Sequence, residues 1–242
     1  MARRSDEPAR ARRAPDRDAA LAQYRRRAAV YDLELALFEP IRRQAVARLA
    51  LQRGDVVFDL GCGTGLSLPL LRALVGPRGH IVGVEQSPEM IQKARQRVAL
   101  QRWKNVTLVC APVETAALPA EADAALFHFT HDILRRPEAV AQVVRQLKPG
   151  ARVVASGLKW APAWALPANL LVLPAALHSV SSLEGLKRPW SHLEVQIGPL
   201  EVQGLLLGAV YIAAGTVGGL SQPMGQREPS ASPASRMRRA SI

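Results

Sequence analysis

Short apolar runs alternate with amphipathic stretches along most of the chain, and this order predicts strands that alternate with helices. The apolar runs predict strands over residues 55–60, 80–85, 105–110, 123–129 and 151–158. Apolar residues at three- and four-residue spacing predict helices over residues 19–38, 40–52, 64–75, 88–101 and about 136–147. Since strands and helices alternate, we expect an α/β fold with a parallel sheet.

The last two apolar segments break this alternation. Residues 201–206 and 209–215 lie on either side of Leu207 and Gly208. A short connection between two strands predicts an antiparallel hairpin. We therefore expect the parallel sheet to end in a C-terminal hairpin.

The first strand leads into a glycine-rich turn that reads Asp-Leu-Gly-Cys-Gly-Thr-Gly over residues 59–65. Glycine tolerates positive φ and lets a ligand approach the backbone closely. The helix predicted to follow directs its first N–H groups towards this turn. We therefore assign these residues to ligand binding: Asp59, Gly61, Cys62, Gly63, Thr64 and Gly65.

Glu85 ends the second predicted strand, 20 positions after Gly65. In a strand–helix–strand unit, an acid at about this distance can accept hydrogen bonds from two ribose hydroxyls. Dinucleotide-binding turns usually read Gly-x-Gly-x-x-Gly. This turn reads Gly-x-Gly-x-Gly, with an acid two positions before the first glycine. The spacing argues against NAD, and an NAD-linked oxidoreductase stays an alternative enzyme.

These motifs resemble those of class I S-adenosylmethionine-dependent methyltransferases, over about residues 24–216. The Tyr31-Asp32 pair resembles one in the ubiquinone/menaquinone-biosynthesis-type and phospholipid methyltransferases, where the N-terminal helix closes over the donor. The resemblance implies an enzyme with a Rossmann-like seven-stranded methyltransferase sheet, helices on both faces and a C-terminal antiparallel hairpin. It implies S-adenosyl-L-methionine as the cofactor, with Tyr31 as a lid residue and Asp59 near the ammonium of the donor. Core packing is the alternative for Tyr31, which stands seven positions after Tyr24 on one helical face. A non-catalytic, donor-binding regulatory module stays a second alternative.

The adenine of the donor is expected near the ends of the second and third strands. Gln86 and Met90 follow the second strand and could form one wall of that site. The resemblance implies an adenine-binding acid just after the third strand, where Val113 and Glu114 stand. Glu114 could accept a hydrogen bond from the adenine amino group. A surface position for this glutamate is the alternative.

The fourth strand ends in Phe-His-Phe-Thr-His-Asp over residues 127–132. In α/β sheets, ligands bind beyond the carboxyl ends of the strands, so Phe129 is expected at the junction of donor and acceptor. His131 is the candidate general base, because imidazole titrates near neutral pH. Asp132 could orient it, or could cap the following turn. His128 is expected to be a packed strand residue, and a hydrogen-bonded loop histidine is the alternative for His131.

The basic charge of the chain is concentrated at its ends. The formal net charge is +12, and residues 1–27 hold nine arginines against four acids. Residues 221–242 hold four arginines against one acid, which leaves +4 for residues 28–220. A mildly basic core does not indicate a specific nucleic-acid partner. Two cysteines, Cys62 and Cys110, favour a reducing compartment, and we expect a cytoplasmic protein.

We expect one methyltransferase domain over residues 19–216, which begins with N-terminal helices at 19–52. Disordered basic tails are predicted at residues 1–18 and 217–242, because both are rich in alanine, arginine, proline and serine. Residues 160–197 are expected to form an apolar cap insertion over the substrate mouth. Plain core packing and shallow membrane contact are the alternatives for this segment.

The cap segment and the missing motifs predict the kind of acceptor. Residues 160–183 carry no charged side chain, and prolines interrupt the run. The end of the fourth strand lacks the Asp-Pro-Pro-Tyr and Asn-Pro-Pro-Tyr motifs of enzymes that methylate amino groups of bases. We therefore expect a small, hydrophobic acceptor such as a quinone, a lipid or a similar metabolite, with at most peripheral membrane contact. We assign no metal ligands.

Overall fold

The computed structural model describes residues 38–162, 165, 169 and 185–218. Almost all of the predicted helix 19–38, including Tyr31, lies outside the described residues. The predicted tail at 1–18 also lies outside them, as does the tail at 217–242 beyond residue 218. Most of the predicted cap between 163 and 184 is likewise not described.

Seven strands form one sheet in the order β3-β2-β1-β4-β5-β7-β6. The strands are β1 (Val56–Leu60), β2 (His80–Glu85), β3 (Val106–Cys110), β4 (Ala122–His128), β5 (Leu147–Leu158), β6 (Glu201–Leu205) and β7 (Val210–Thr216). The first five strands pair in parallel, and β7 pairs antiparallel to both β5 and β6. The predicted parallel sheet with a closing hairpin is therefore confirmed.

Six helices connect or cover the strands in the part of the chain that is described. They are α1 (Glu39–Ala47), α2 (Leu68–Val75), α3 (Pro88–Leu100), α4 (His131–Leu134), α5 (Pro137–Val144) and α6 (Ser191–Ile197). Short 3-10 turns span Val113–Thr115 and Leu206–Gly208. Buried side chains of α1 and α2 belong to the apolar cluster on one face of the sheet, and those of α5 and α6 belong to the cluster on the other. Helices on both faces are thus confirmed.

Four predicted elements differ from the structure by more than two residues at one end. The helix predicted over 64–75 begins only at Leu68, after the glycine-rich turn. The helix predicted over 40–52 ends at Ala47, because the chain turns through Ala50 (φ 51°) and buries Leu49 and Leu51. The helix predicted over 136–147 is shorter and begins at Pro137, after a separate turn of helix. Proline has no N–H to continue a preceding helix but fits the first turn of a new one.

The fourth difference concerns β5, which begins at residue 147 rather than 151. Leu147 pairs with Ala122, and pairing resumes at Arg152 with Ala124. The expected turn at residues 148–150 is therefore an irregularity inside the strand, where Gly150 has φ 82°.

The alternation of side chains along β1 decides what meets the functional turn. Val57 packs into the cluster covered by α1 and α2, whereas Phe58 and Leu60 pack into the opposite cluster. Because alternate residues share a face, Asp59 lies on the α1 side with Val57. The same rule places His128 with Leu126 on β4 and Ser156 with Val154 on β5. Three polar side chains therefore share one face at the carboxyl end of the sheet.

None of the helices within the described ranges is both long enough and apolar enough to cross a membrane.

Candidate functional site

The glycine-rich turn is tied to the neighbouring strand as it leaves β1. The amides of Gly61 and Cys62 both donate to the carbonyl oxygen of Val84, at 2.8 and 3.0 Å. Gly61 has φ +72°, and a Cβ at this position would lie 2.4 Å from Cγ2 of Thr130. Any other residue at position 61 would therefore be strained and would collide with the loop after β4.

Glu85 fixes the turn from the end of β2. Its Oε2 accepts from the amide of Gly63 at 3.1 Å, and its Oε1 accepts from the amide of Ser87 at 2.8 Å. Burial raises the pKa of Glu85, while backbone N–H groups of Ser87, Gly63 and Gln86 lower it. A carboxylate oxygen can accept more than one hydrogen bond, so each oxygen keeps accepting capacity after these contacts. With 9% of its surface exposed, Glu85 is a nearly buried acceptor held rigidly at the edge of the turn.

Asp59 is buried more completely and is less well satisfied. Its exposed fraction is 2%, and its Oδ2 has no hydrogen-bond partner among the residues described. Burial raises the pKa of Asp59 to about 7, and the nearby charge of Glu85 also raises it. The positive charge of Arg42 acts in the opposite direction and lowers it. Asp59 is therefore a carboxyl that titrates near neutral pH and has an accepting oxygen to spare.

A small cavity of about 30 Å³ lies beside this carboxyl. Its lining comes from α1, the glycine-rich turn and the end of β4: Arg42, Asp59, Gly61, Cys62, Gly63, Thr64, Leu66, Ser67, His128 and Phe129. A volume of this size holds a water molecule or a small polar group. Burial and the charges of Asp59 and Glu85 raise the pKa of Cys62, so its thiol stays protonated and offers no thiolate to the cavity.

His128 faces the cavity from β4. Its Nδ1 lies 2.7 Å from Oγ of Ser156, the residue opposite it in β5. Burial, together with the smaller effect of the positive charge of Arg42, lowers the pKa of His128 to about 3. The imidazole is therefore neutral at ordinary pH. His128 is expected to be a packed strand residue, and in the structure its side chain also lines the cavity.

Phe129 directly follows β4 and has an unusual backbone conformation. Its φ is 57°, in the left-handed region that aromatic residues rarely adopt. Its amide donates to the carbonyl oxygen of Ser156 at 2.7 Å, and its ring lies 4.9 Å from that of Phe38. Such a conformation persists only where the surroundings enforce it, and it is concentrated at functional sites. It turns the chain out of the strand next to the cavity.

The structure does not bring every predicted site residue to this cavity. His131 begins α4 and is 7% exposed, and Asp132 follows it half-buried, but neither lines the cavity. Gly65 closes the turn onto α2, because a Cβ there would lie 2.7 Å from Cδ1 of Leu68. Tyr31 lies outside the described residues. The predicted base and lid therefore stay predictions.

The residues predicted around the adenine differ in how deeply they are buried and in the contacts they make. Met90 is 2% exposed and belongs to the core, and its amide donates to Oγ of Ser87 at the start of α3. Gln86 is half-buried after β2, and Val113 is buried after β3. Glu114 lies 3.4 Å from Nη1 of Arg136, so its carboxylate already has a cationic partner.

Arg42 and Ser156 are site residues that the sequence analysis missed. A signal existed for Arg42, because it stands on the apolar stripe of α1 with Ile41, Ala45 and Val46, all buried. Charged residues are almost never fully buried without a reason. For Ser156 there was no such local signal, since its contact with His128 depends on the pairing of β4 with β5.

Asn substitution at Asp59 should make the protein more stable at alkaline pH. A carboxyl whose pKa rises from 3.8 to about 7 on folding lowers the stability of the folded state as pH increases through that range, by up to about 4 kcal/mol. Denaturant unfolding at pH 8 should show D59N to be more stable than the wild type. The difference should shrink at pH 5, where Asp59 is protonated in the folded state.

Asp123 provides the matched control for this experiment. Its carboxylate accepts from Nζ of Lys148 at 2.6 Å and from the amide of Val56 at 2.9 Å. D123N should therefore bring no gain in stability. Equal or lower stability of D59N at pH 8 would show that Asp59 is not a strained, desolvated carboxyl.

Several known proteins that are similar to this chain are named as methyltransferases. The protein-L-isoaspartate O-methyltransferase of Ignicoccus hospitalis is 34% identical over 104 residues, which cover 43% of this chain and 47% of that protein. The demethylmenaquinone methyltransferase of Symbiobacterium thermophilum is 30% identical over 120 residues, or 48% of each protein. The chain thus spans about half the length of these curated relatives.

A solved structure and a family model complete the comparison. The crystal structure of a SAM-dependent methyltransferase from Aquifex aeolicus superposes with a TM-score of 0.54 at 21% identity, covering 76% of this chain and 92% of that one. This likeness confirms the fold. The family model described as a methyltransferase domain matches residues 51–192, more than half of the chain. The chain therefore belongs to the methyltransferase domain family, within the class I methyltransferases whose cofactor is S-adenosylmethionine.

Proposed function

We propose that this protein transfers the methyl group of S-adenosylmethionine to a small, hydrophobic acceptor. Binding of S-adenosylmethionine as the donor is supported by two acids, Asp59 and Glu85, at the ends of β1 and β2. The glycine turn beside them leaves its backbone open to a ligand. Asp59 has an unpartnered buried oxygen at the cavity, and Glu85 has accepting capacity at the edge of the turn. These residues fit the ammonium and the ribose of the donor.

In this proposal the donor lies across the turn. Glu85 accepts hydrogen bonds from the ribose hydroxyls while its contact with Gly63 keeps the turn in place. Asp59 binds the ammonium of the methionyl group. The backbone of the turn, from Gly61 to Gly65, allows close approach because three of its residues lack a side chain.

The assignments around the adenine follow from position along the chain. We propose that Gln86 and Val113 bound the adenine after β2 and β3, with Met90 behind them. Glu114 would have to exchange its contact with Arg136 to accept from the adenine amino group. Its role is therefore the weakest of the donor contacts on energetic grounds.

The charge of Asp59 disfavours NAD. A dinucleotide would place its pyrophosphate on the glycine turn, next to the carboxyl of Asp59. This carboxyl is buried, and like charges repel strongly where water is excluded. A cationic sulfonium and ammonium are attracted by the same carboxylate. The electrostatics of the turn thus support S-adenosylmethionine over NAD.

Methyl transfer demands positioning more than acid–base chemistry from this chain. S-adenosylmethionine supplies a methyl group that its sulfonium already makes electrophilic. The protein must hold the acceptor in line with that group and exclude water, which can contribute about 7–11 kcal/mol in favourable systems. His128 is unsuited as a base, because its pKa is about 3. We propose His131, oriented by Asp132, as the base for an acceptor bound beyond Phe129.

Partly buried aromatic residues support a hydrophobic acceptor. Phe129 lines the cavity and its ring lies 4.9 Å from that of Phe38, and both pack, like Trp160, against the core cluster that includes buried residues of α1. The described start of the apolar segment packs into the same cluster through Ala161 and Ala165. One relative is named for demethylmenaquinone and another for isoaspartyl protein, so the relatives alone do not select the acceptor. We therefore propose a small-molecule or lipid acceptor, with cytoplasmic location as the matching prediction.

Replacement of Glu85 should weaken donor binding selectively. Hydrogen bonds to a charged group contribute about 1.5–3 kcal/mol, so E85Q should raise the Kd for S-adenosylmethionine by at least about tenfold. Isothermal titration calorimetry of the wild type, E85Q and E138Q measures this directly. Glu138 is an exposed acid in the first turn of α5, and E138Q should bind as the wild type does.

Titration of NAD into the same proteins separates the alternatives. The wild type should bind S-adenosylmethionine more tightly than NAD. Tighter binding of NAD, or equal donor binding by E85Q and the wild type, would contradict the proposed donor site.

Transfer of labelled methyl should identify the acceptor class. We expect the wild type to move label from methyl-labelled S-adenosylmethionine into the organic-solvent extract of the source cells, and E138Q to do the same. D59N should transfer little, because it cannot offer a negative charge to the ammonium. Label in the RNA or protein fraction alone would overturn the hydrophobic acceptor. Donor binding without transfer to any fraction would favour a non-catalytic, donor-binding module.

A further inference from the structure

Arg42 is buried in a way that its own helix does not explain. It is 2% exposed on the apolar stripe of α1. Its Nη1 donates to the carboxylate of Glu39, one turn earlier in the chain. Its Nε, also buried, has no hydrogen-bond partner within the described ranges. Burying a guanidinium with an unsatisfied donor is costly, which calls for a compensating contact.

The charge that faces Arg42 is also left without a direct partner. Asp59 is 2% exposed, and its Oδ2 is unsatisfied within the same part of the chain. Arg42 is near enough to lower the pKa of Asp59, yet no ion pair joins these two residues. Both line the same cavity. The guanidinium of Arg42 and the carboxyl of Asp59 thus both line the cavity without forming an ion pair with each other.

A zwitterion satisfies both charges at once. The amino-acid head of S-adenosylmethionine carries an ammonium and a carboxylate on one carbon. A cavity of about 30 Å³ is too small for an adenosine but suits a small polar group. Only the head of the donor can therefore enter between Arg42 and Asp59, while the adenosine lies over the turn towards Glu85.

We propose that Arg42 binds the α-carboxylate of the donor, opposite Asp59, which binds its ammonium. This inference rests on the proposed function and extends it to a residue outside the glycine turn and the strand ends. Guanidinium and carboxylate form strong, charge-assisted hydrogen bonds with matched geometry. Arg42 is thereby a specificity residue for a donor that retains its carboxylate.

A consequence is discrimination against decarboxylated S-adenosylmethionine. This compound has the same adenosine, sulfonium and ammonium but lacks the carboxylate. Its additional net positive charge is repelled by Arg42, and the Nε of Arg42 stays unsatisfied when it binds. The wild type should therefore bind S-adenosylmethionine at least about tenfold more tightly than the decarboxylated compound.

The test compares both compounds by calorimetry on the wild type, R42M and R48M. Methionine suits the apolar surroundings of position 42, and Glu39 retains a contact with Nε of Arg43 at 3.0 Å. Arg48 carries the same charge at the end of the same helix, where its Nη2 donates to Gln203 at 2.7 Å away from the cavity. R42M should lower the preference for the carboxylated donor by at least about tenfold, and R48M should leave it unchanged.

The possible results separate the proposal for Arg42 from the proposed function. Equal loss of affinity for both compounds in a folded R42M would mean a structural role and would overturn the proposal, as would an unchanged preference. If R42M does not fold, the wild type still decides, because the absence of a preference for the carboxylated donor contradicts a carboxylate contact. Failure of the wild type to bind either compound would instead overturn the proposed function.

Discussion

The burial of two carboxylates at the ends of neighbouring strands is the constraint on which the rest of the site depends. Glu85 is satisfied by backbone amides of Gly63 and Ser87, and in accepting from Gly63 it sets the position of the glycine turn. Asp59 is not satisfied in the same way, so its pKa rises to about 7. One acid thus builds the turn, and the other keeps a desolvated charge available beside it.

Two further unfavourable features lie close to Asp59. Phe129 holds a left-handed conformation, and Arg42 is buried with an unsatisfied Nε in the described part of the chain. Such features reduce stability and persist because a well-packed sheet supports them. Apolar clusters on both faces of the sheet provide that support. The unfavourable interactions are therefore concentrated at the place where a ligand with complementary charges would relieve them.

Local patterns predicted much of this arrangement, whereas contacts across the sheet escaped them. The strands, the glycine turn and Glu85 follow from short apolar runs and from glycine spacing, which are properties of neighbouring residues. Arg42 lines the same cavity as Asp59 only because α1 packs on the face of the sheet that carries Asp59. Likewise, Glu114 meets Arg136, 22 positions away, through the packing of the loop after β3 against the start of α5. The helix α1 ends earlier than predicted, and the chain turns through Ala50 with Leu49 and Leu51 buried on either side of it.

The central claim is that the acids at the ends of β1 and β2 hold S-adenosylmethionine across the glycine turn. The most direct measurement is a crystal structure of the wild type with S-adenosylhomocysteine, which retains the ribose and the amino-acid head. The account predicts both ribose hydroxyls within hydrogen-bond distance of Glu85 and the amino group within that distance of Asp59. A ligand bound elsewhere, or with its ribose turned away from Glu85, would contradict it.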